Sequence, residues 1–365
     1  MARTELSDVR GDTGQLTVRG HAIESLVSVV PFEAVLALLL HGALPEPACW
    51  GALQRELGEA RVLAHARLLP RFDAIAAPDA MTTLRSALSL LPVDATPVDA
   101  LGMAAVATAA WIREERGGQL PAPRPGLPHA HDSLRMLSGR EVTEAAAGLL
   151  DAYFVTVAEH GFNASTFAAR VAASTGADLP SVLVAGVATL SGPLHGGAPG
   201  PVLDMLDAVG SQERATAYVQ AEIAAGRRIM GMGHRVYRVR DPRAFVLERA
   251  LSEYQKGEGG PARLALARAV EAAAQAELLR KYPERALRAN VEFYTALVLE
   301  ALDIPRAAFT AIFACARIAG YCAHYAEQRA SGRLIRPSAL YVGPSSSVLA
   351  SPNCQLPTAN CQLPK

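Results

Sequence analysis

Two histidines occupy short glycine-rich segments, where a side chain can approach a ligand closely. His195 lies in the segment 190–197 (LSGPLHGG), and His234 lies in 231–243 (GMGHRVYRVRDPR), which carries four arginines. A histidine at the N-terminus of the following helix has a lowered pKa, which favours the neutral ring. The arginine-rich segment is typical of an anion site. A surface turn and a solvated charge run are the simpler alternatives.

A single arginine, Arg317, interrupts the apolar helical run 311–321. A buried arginine needs a carboxylate partner or a ligand, and a structural salt bridge is the simpler explanation. His160 ends another helical run just before 161–163 (GFN), where a cation also stabilises a helix C-terminus. Together with a candidate acid, these side chains suit an enzyme that acts on a small molecule with several negative charges. The sequence contains no Walker A, Rossmann, HExxH or GxSxG motif.

The composition predicts that helices position these side chains. Alanine is abundant, and aromatic residues make up only 5% of the 365 residues. Alanine is the best helix former, whereas strands favour β-branched and aromatic residues. We therefore expect an all-α fold, with at best one hairpin near 13–20. Since 50% of the residues are hydrophobic, the chain can bury a sizeable core in two domains or in one domain with a smaller lobe.

Apolar spacing and capping signals predict individual helices. A run opens at Pro31 and closes at Gly42, and 96–99 (TPVD) forms a capping box ahead of a second run. The proline-rich segment 117–132 predicts a surface loop. Further helices are expected at 142–160, 181–190, 201–208, 211–226, 242–256, 262–281, 291–302 and 306–330.

Charge, cysteine content and the two ends of the chain bear on partners and compartment. The 35 basic and 35 acidic residues cancel, so no net field draws the chain to nucleic acid or an anionic membrane. No apolar run reaches the ~20 residues of a membrane span, and no signal peptide is visible. Five cysteines without metal-ligand spacing favour reduced thiols and a cytoplasmic location. The pentapeptide NCQLP, repeated at 353–357 and 360–364, predicts a disordered tail over 344–365.

In this order, the motifs resemble those of the citrate synthase family. The resemblance covers about residues 8–343 and implies an almost all-helical homodimer. It implies a large domain formed by 1–205 and 299–343, and a small domain, 206–298, that closes over the substrate. The motifs that carry it are 11–20 (GDTGQLTVRG), 38–45 (LLLHGALP), 160–167 (HGFNASTF), 191–197 (SGPLHGG), 233–237 (GHRVY), 241–243 (DPR), 290–294 (NVEFY) and 334–337 (LIRP).

The reaction that the resemblance implies is the condensation of an acyl-CoA, in first place acetyl-CoA, with oxaloacetate. Hydrolysis of the thioester then gives citrate and CoA, with no metal and no cofactor besides the acyl-CoA substrate. By resemblance, a neutral His195 would hydrogen-bond the thioester carbonyl while the acid at position 292 takes the α-proton. His234 would polarise the keto group and protonate the new alkoxide. Base and polariser must act together in a site that excludes water.

The same resemblance assigns residues to substrate binding. Phe313 would pack near the substrate, with ordinary core packing as the alternative, and Arg238 would contact a CoA phosphate. The backbone of Met230, Gly231, Met232 and Gly233 would border the adenine. The two carboxylates of oxaloacetate would be held by His160, Arg243, Arg317 and, reaching from the partner subunit, Arg336.

One position departs from the family pattern, because the expected aspartate is Glu292. The extra methylene moves the carboxylate by ~1 Å, and such a misplacement can cost about 10²-fold in rate. Three interpretations stay open. The protein is a slow citrate synthase, or its site is repacked, for instance for propionyl-CoA and 2-methylcitrate. The third is a paralogue with another main role, down to a non-catalytic sensor of CoA or a dicarboxylate.

Overall fold

The computed structural model describes residues 3–195, 199–234, 236–258, 263–285 and 287–343. The chain divides into two compact units, Met1–Ile335 and Arg336–Lys365. All helices and strands given below belong to the first unit, and the described part of the second, 336–343, contains neither. The predicted disordered tail lies outside the described residues, and the predicted large and small domains stay a prediction.

Three short strands form an antiparallel sheet near the beginning of the chain. They are β1 (Ser7–Arg10), β2 (Gln15–Val18) and β3 (His21–Ala22), in the order β1-β2-β3. The predicted hairpin near 13–20 therefore exists, but its first strand begins six residues earlier than the sequence indicated. That strand has only the partial burial of an edge strand, so its apolar alternation is weak and easily missed.

A glycine in the first turn lets the sheet support a loop far along the chain. A Cβ atom on Gly11 would lie 2.2 Å from the carbonyl oxygen of Val236, a contact that no other residue type could tolerate. The carbonyl of Gly11 also accepts a hydrogen bond from the backbone N–H of Arg238 at 2.9 Å. The sheet thus fixes the loop that follows His234.

Helices make up most of the described chain, which confirms the predicted all-α fold. Short 3-10 turns precede or follow some of them, at Leu69–Arg71, Gln212–Arg214 and Arg306–Ala308. The helices are α1 (Ile23–Leu26), α2 (Phe32–His41), α3 (Pro47–Leu68), α4 (Phe72–Ile75), α5 (Ala80–Leu88), α6 (Pro97–Glu115), α7 (His129–Ser138), α8 (Glu144–Val157), α9 (Ala164–Ser174), α10 (Leu179–Leu190), α11 (Pro199–Val209), α12 (Ala215–Ala224), α13 (Pro242–Glu258), α14 (Arg263–Lys281), α15 (Val291–Ala301) and α16 (Phe309–Ser331).

The capping signals located helix ends well, as α6 shows. The hydroxyl of Thr96 accepts from the backbone N–H of Asp99 at 3.3 Å, and the Asp99 carboxylate accepts from the Thr96 N–H at 2.8 Å. The loop predicted at 117–132 is wrong at its end, because α7 begins at His129. Its last proline, Pro128, occupies the N-cap of that helix, a place where a missing N–H costs nothing.

Six helices were not predicted from the sequence, namely α1, α3, α4, α5, α7 and α9. The reason is clearest for α3 and α9. In α3 the buried face includes Arg61, which is 0% exposed and paired with Asp132 at 2.9 Å. A charged residue on the buried face breaks the apolar periodicity by which a helix is recognised. In α9 the buried face is made largely of small or polar residues, Arg170 among them.

The core is built around α16, which packs against α6, α8, α9 and α10. By length and composition, Arg306–Ala330 could cross a membrane, but 83% of its apolar window is buried inside the fold. This burial is typical of the central helix of a compact domain. It also means that the one arginine in the middle of α16 is held rigidly in the interior.

Candidate active site

Five of the residues singled out in the sequence come together. His160 follows the end of α8, and His234 lies in the loop before α13. Arg243 and Glu292 stand in the first turns of α13 and α15, and Arg317 projects from α16. The charges of both arginines act on His160 and on Glu292, and the rings of the two histidines meet edge to face at 5.7 Å.

The ring of His234 is held as a neutral donor. Its Nδ1 accepts from the backbone N–H groups of Val236 and Tyr237 at 3.0 and 3.1 Å. A nitrogen that accepts two hydrogen bonds carries no proton, so the proton resides on Nε2. Burial, reinforced by the charge of Arg243 against that of Asp241, lowers the pKa of His234 to about 4. The ring can therefore polarise a carbonyl through Nε2–H near neutral pH.

Glycines bring the segment before His234 against the start of α15. Gly231 has a φ of +72°, and a Cβ atom there would lie 2.8 Å from the ring of Phe293. The carbonyls of Gly231 and Gly233 accept from the backbone N–H and side-chain amide of Asn290 at 3.0 and 2.9 Å. The histidine segment and the helix that carries Glu292 are thus fixed to each other by main-chain contacts.

A carboxylate orients Arg243. Asp241 accepts from its Nε and Nη2 at 3.1 and 2.7 Å, and also from the backbone N–H of Val291 at 3.2 Å. The guanidinium is 3% exposed. Burial opposes its charge, but Asp241 outweighs burial and raises the pKa of Arg243. The Nη1 group makes no hydrogen bond to any residue in the described ranges, which leaves it available to an anionic ligand.

Among the described residues, Arg317 has no carboxylate in salt-bridge contact. The side chain is 2% exposed, and its Nε donates to the carbonyl of Val157 at 2.7 Å. Its guanidinium lies 4.7 Å from the ring centroid of Phe313, whose predicted contact with the substrate stays a prediction. Over the part of the chain that the structure describes, no carboxylate lies within ion-pair distance of Arg317, and its buried Nη2 makes no hydrogen bond. The buried carboxylate of Glu159 acts on Arg317 electrostatically but forms no ion pair with it. A buried guanidinium without a direct carboxylate partner indicates a ligand site.

Glu292 is the second residue of α15, and its side chain is partly buried. Its Oε2 atom is fully buried and makes no hydrogen bond with the described residues. Burial raises the pKa of Glu292, although Arg243, the residue's own backbone N–H and Arg317 oppose the rise. A carboxylate with a raised pKa and an unsatisfied oxygen is suited to accept a proton.

His195 contacts the N-terminal turn of α9. Its Nε2 lies 2.8 Å from the hydroxyl of Ser165 and 3.4 Å from the backbone N–H of the same residue. The single hydroxyl proton of Ser165 is donated to Oδ1 of Asn163 at 2.8 Å, so this contact anchors the His195 ring without fixing which nitrogen carries its proton. Ser165 also lies beside Tyr321, one turn beyond Arg317 on α16. The two glycines after His195 lie outside the described residues.

Three further sets of predicted site residues lie outside this cluster, and their roles stay predictions. The Arg238 side chain is exposed. Arg336 is also exposed and belongs to the second unit. The stretch 230–233 is partly buried against 287–293, and its predicted contact with adenine stays a prediction.

Several side chains that hold the site together were not predicted from the sequence. Asp241 and Tyr237 lie inside motifs that were singled out, and the spacing of Asp241 from Arg243 could have suggested an ion pair. Glu159 is 1% exposed and accepts from Ser7 at 2.8 Å and from His324 at 3.1 Å. These partners are 152 and 165 residues away in sequence, so no local pattern could have revealed them.

Known proteins are similar to this chain in both sequence and fold. Residues 1–338 match the family model described as "Citrate synthase, C-terminal domain". Citrate synthase of Haloferax volcanii is 38% identical over 360 residues, covering 93% of each chain. That of Synechocystis is 36% identical over 355 residues, covering 93% of this chain and 88% of the other. The crystal structure of citrate synthase from Thermotoga maritima has a TM-score of 0.84 at 32% identity, covering 95% of both chains.

Proposed function

The chain belongs to the citrate synthase family of CoA-dependent acyltransferases, and we propose from this that it condenses acetyl-CoA with oxaloacetate. Hydrolysis of the resulting thioester releases citrate and CoA. The observation that carries the proposal is the meeting of two anion-binding arginines, a neutral histidine donor and an unsatisfied carboxylate. Each answers one need of the reaction: binding a dicarboxylate, polarising its keto group, and removing a weakly acidic proton.

The proposed steps follow from the proton positions. Glu292 takes a proton from the α-carbon of the thioester, while a ring N–H of His195 donates to the thioester oxygen and stabilises the enol. The enol carbon attacks the keto carbon of oxaloacetate, which Arg243 and Arg317 hold through its carboxylates. Nε2–H of His234 gives its proton to the new alkoxide. Water then attacks the thioester carbonyl and the C–S bond breaks. The departing CoA sulfur takes the proton held by Glu292, and the proton released by the new carboxylic acid returns to the His234 ring.

Other parts of the proposal rest on the family alone. They are a homodimer in which Arg336 completes the site of the partner subunit, a small domain at 206–298 that closes over the substrates, and a cytoplasmic location. Arg238 would hold a CoA phosphate, and the backbone at 230–233 would border the adenine. The proposed chemistry uses acyl-CoA as a substrate and assigns no step to a metal or a further cofactor.

The test measures CoA release by the pure protein from acetyl-, propionyl- and butyryl-CoA, each with and without oxaloacetate. We expect release that depends on oxaloacetate, with the highest kcat/KM for acetyl-CoA. One methylene in a pocket is worth only about 1–3 kcal/mol, so the preference is a ratio and not an absolute. A preference for propionyl-CoA would assign the protein to 2-methylcitrate formation. No release from any of the three would refute the proposal and favour a sensor that binds CoA or a dicarboxylate.

The raised pKa of Glu292 predicts the acid side of the pH profile. The base works only when ionised, so kcat/KM should fall as the pH drops through this pKa. Because burial raises it, the fall should occur above the ordinary glutamate value of about 4.3. His234, with a pKa of about 4, titrates lower and does not produce this limb. Rates measured across the pH range at constant ionic strength check this, and a limb at or below the ordinary value would contradict it.

A further inference from the structure

We propose that Tyr237 is a positioning residue that fixes the proton on Nδ1 of His160, so that this ring presents an N–H donor to a carboxylate of the substrate. The inference rests on the proposed function, because it deepens the account of how oxaloacetate is held. The residue does not touch the reacting atoms and acts through the imidazole.

The contact between the two side chains is buried. The Tyr237 side chain is 1% exposed and that of His160 is 9% exposed. The tyrosine hydroxyl lies 3.1 Å from Nε2 of His160, and the two ring centroids are 5.6 Å apart. Within the described ranges, the hydroxyl makes no other hydrogen bond. The hydroxyl of Tyr237 therefore has the imidazole of His160 as its hydrogen-bond partner.

Counting protons assigns the direction of this hydrogen bond. Burial and the charges of Arg243 and Arg317 lower the pKa of His160 well below its ordinary value, so its ring carries a single proton. If that proton were on Nε2, it would point at the phenol oxygen, and the phenol O–H would be buried without an acceptor. An unmet buried donor is costly. The satisfied arrangement has Tyr237 donating to Nε2 and the histidine proton on Nδ1.

Tyr237 holds the second histidine through its backbone. Its N–H donates to Nδ1 of His234 at 3.1 Å, and its ring lies 4.8 Å from that imidazole. One residue thus imposes opposite tautomers on two neighbouring rings, with the proton on Nδ1 of His160 and on Nε2 of His234. Only the first depends on the hydroxyl, so a substitution can separate the two roles.

The position of the proton on His160 affects binding because Arg317 and Arg243 lie beside this ring. Both act on His160 as positive charges, and together they define the place where carboxylates would bind. A neutral ring that turned a lone pair toward a carboxylate would repel it, whereas an N–H donor attracts it. The tyrosine hydroxyl selects the attractive tautomer.

The experiment compares Tyr237→Phe with Tyr294→Phe in the full-length protein. Tyr294 is an equally buried tyrosine, whose hydroxyl donates to Glu271 at 2.6 Å and which has no place in the site. We expect Tyr237→Phe to raise KM for oxaloacetate about tenfold, which is about 1.4 kcal/mol, and to change KM for the acyl-CoA little. Tyr294→Phe should change neither constant. An unchanged KM for oxaloacetate in Tyr237→Phe would overturn the proposal.

Two readouts separate positioning from a structural effect. Histidine 15N chemical shifts distinguish a protonated from an unprotonated ring nitrogen, and in Tyr237→Phe the His160 pattern should change while that of His234 is retained. In a double-mutant cycle, adding Tyr237→Phe to His160→Asn should not weaken oxaloacetate binding further. Additive losses, or an unchanged His160 spectrum, would refute the assignment.

The binding and spectral measurements also keep this proposal distinct from the proposed function. Oxaloacetate binding to the wild-type protein is measured by calorimetry and needs no turnover. If the protein binds oxaloacetate but releases no CoA, the proposed function fails and the tautomer assignment is still decided by the shifts. If turnover is normal and the shifts place the proton on Nε2 of His160, the assignment alone fails.

Discussion

Replacing Glu292 by glutamine is expected to lower kcat about 10³-fold, since the substitution keeps the shape of the side chain and removes the base. Arg243 and Arg317, which we propose hold oxaloacetate, are untouched, so its KM should change little. Purified Glu292→Gln protein assayed for CoA release over a range of oxaloacetate concentrations checks both constants. A loss of less than tenfold would exclude Glu292 as the base.

The variant Glu292→Asp tests whether the site is built for aspartate or has repacked around glutamate. If the extra methylene of Glu292 misplaces the carboxylate in a site built for aspartate, Glu292→Asp should be faster than the wild type. If the site has repacked around glutamate, it should be slower. The structure favours repacking, because the side chain is partly buried in the first turn of α15 and its carboxylate is influenced by its own backbone N–H. We therefore expect Glu292→Asp to be slower.

Replacing Arg317 by methionine is expected to weaken oxaloacetate binding about 10³-fold without reducing the stability of the fold. Methionine fills a similar volume and needs no counter-ion, so the desolvation cost of the buried guanidinium disappears. The charge of Arg317 also stabilises the Glu159 carboxylate, but that carboxylate keeps its hydrogen bonds from Ser7 and His324 in the variant. The free energy of unfolding, measured in urea, should be equal to or higher than that of the wild type. Loss of a ligand-binding arginine weakens oxaloacetate binding and leaves the free energy of unfolding unchanged or higher. Loss of a structural arginine lowers the free energy of unfolding.

A matched control is Arg61→Met, in which the arginine is equally buried but forms an ion pair. Arg61 lies 2.9 Å from Asp132, which is also 0% exposed. Removing it leaves one side of a buried ion pair uncompensated, so the free energy of unfolding should fall by about 3 kcal/mol. If Arg317→Met destabilises the protein as much as Arg61→Met does, Arg317 has a structural role.

The histidines and arginines of the site could be selected from the sequence because each conflicted with its surroundings. Arg317 stood in an apolar run and His195 and His234 among glycines, so local pattern alone marked them. What the sequence could not provide was their mutual geometry. The pairing of Tyr237 with His160 joins positions 77 residues apart, and the tautomers depend on hydrogen bonds that form only in the folded chain.

Helices whose ends are set by neighbouring residues were predicted, whereas a helix that depends on a distant partner was not. The caps of α2 and α6 depend on neighbouring residues and were predicted correctly. The helix α3 depends on the burial of Arg61 against Asp132, 71 residues away, and was not predicted. Local chemistry is visible in a sequence, whereas a charged residue buried by a distant partner looks like a surface residue.

The contact of Asp241 with α15 bears on how such a site can evolve. Asp241 holds the beginning of this helix through the main-chain N–H of Val291 at 3.2 Å, and a main-chain contact is indifferent to the identity of the neighbouring side chains. Position 292 can therefore exchange one acid for another while the helix and Arg243 keep their places. The main-chain anchor thus makes the position of the helix independent of the choice of acid at the proposed base.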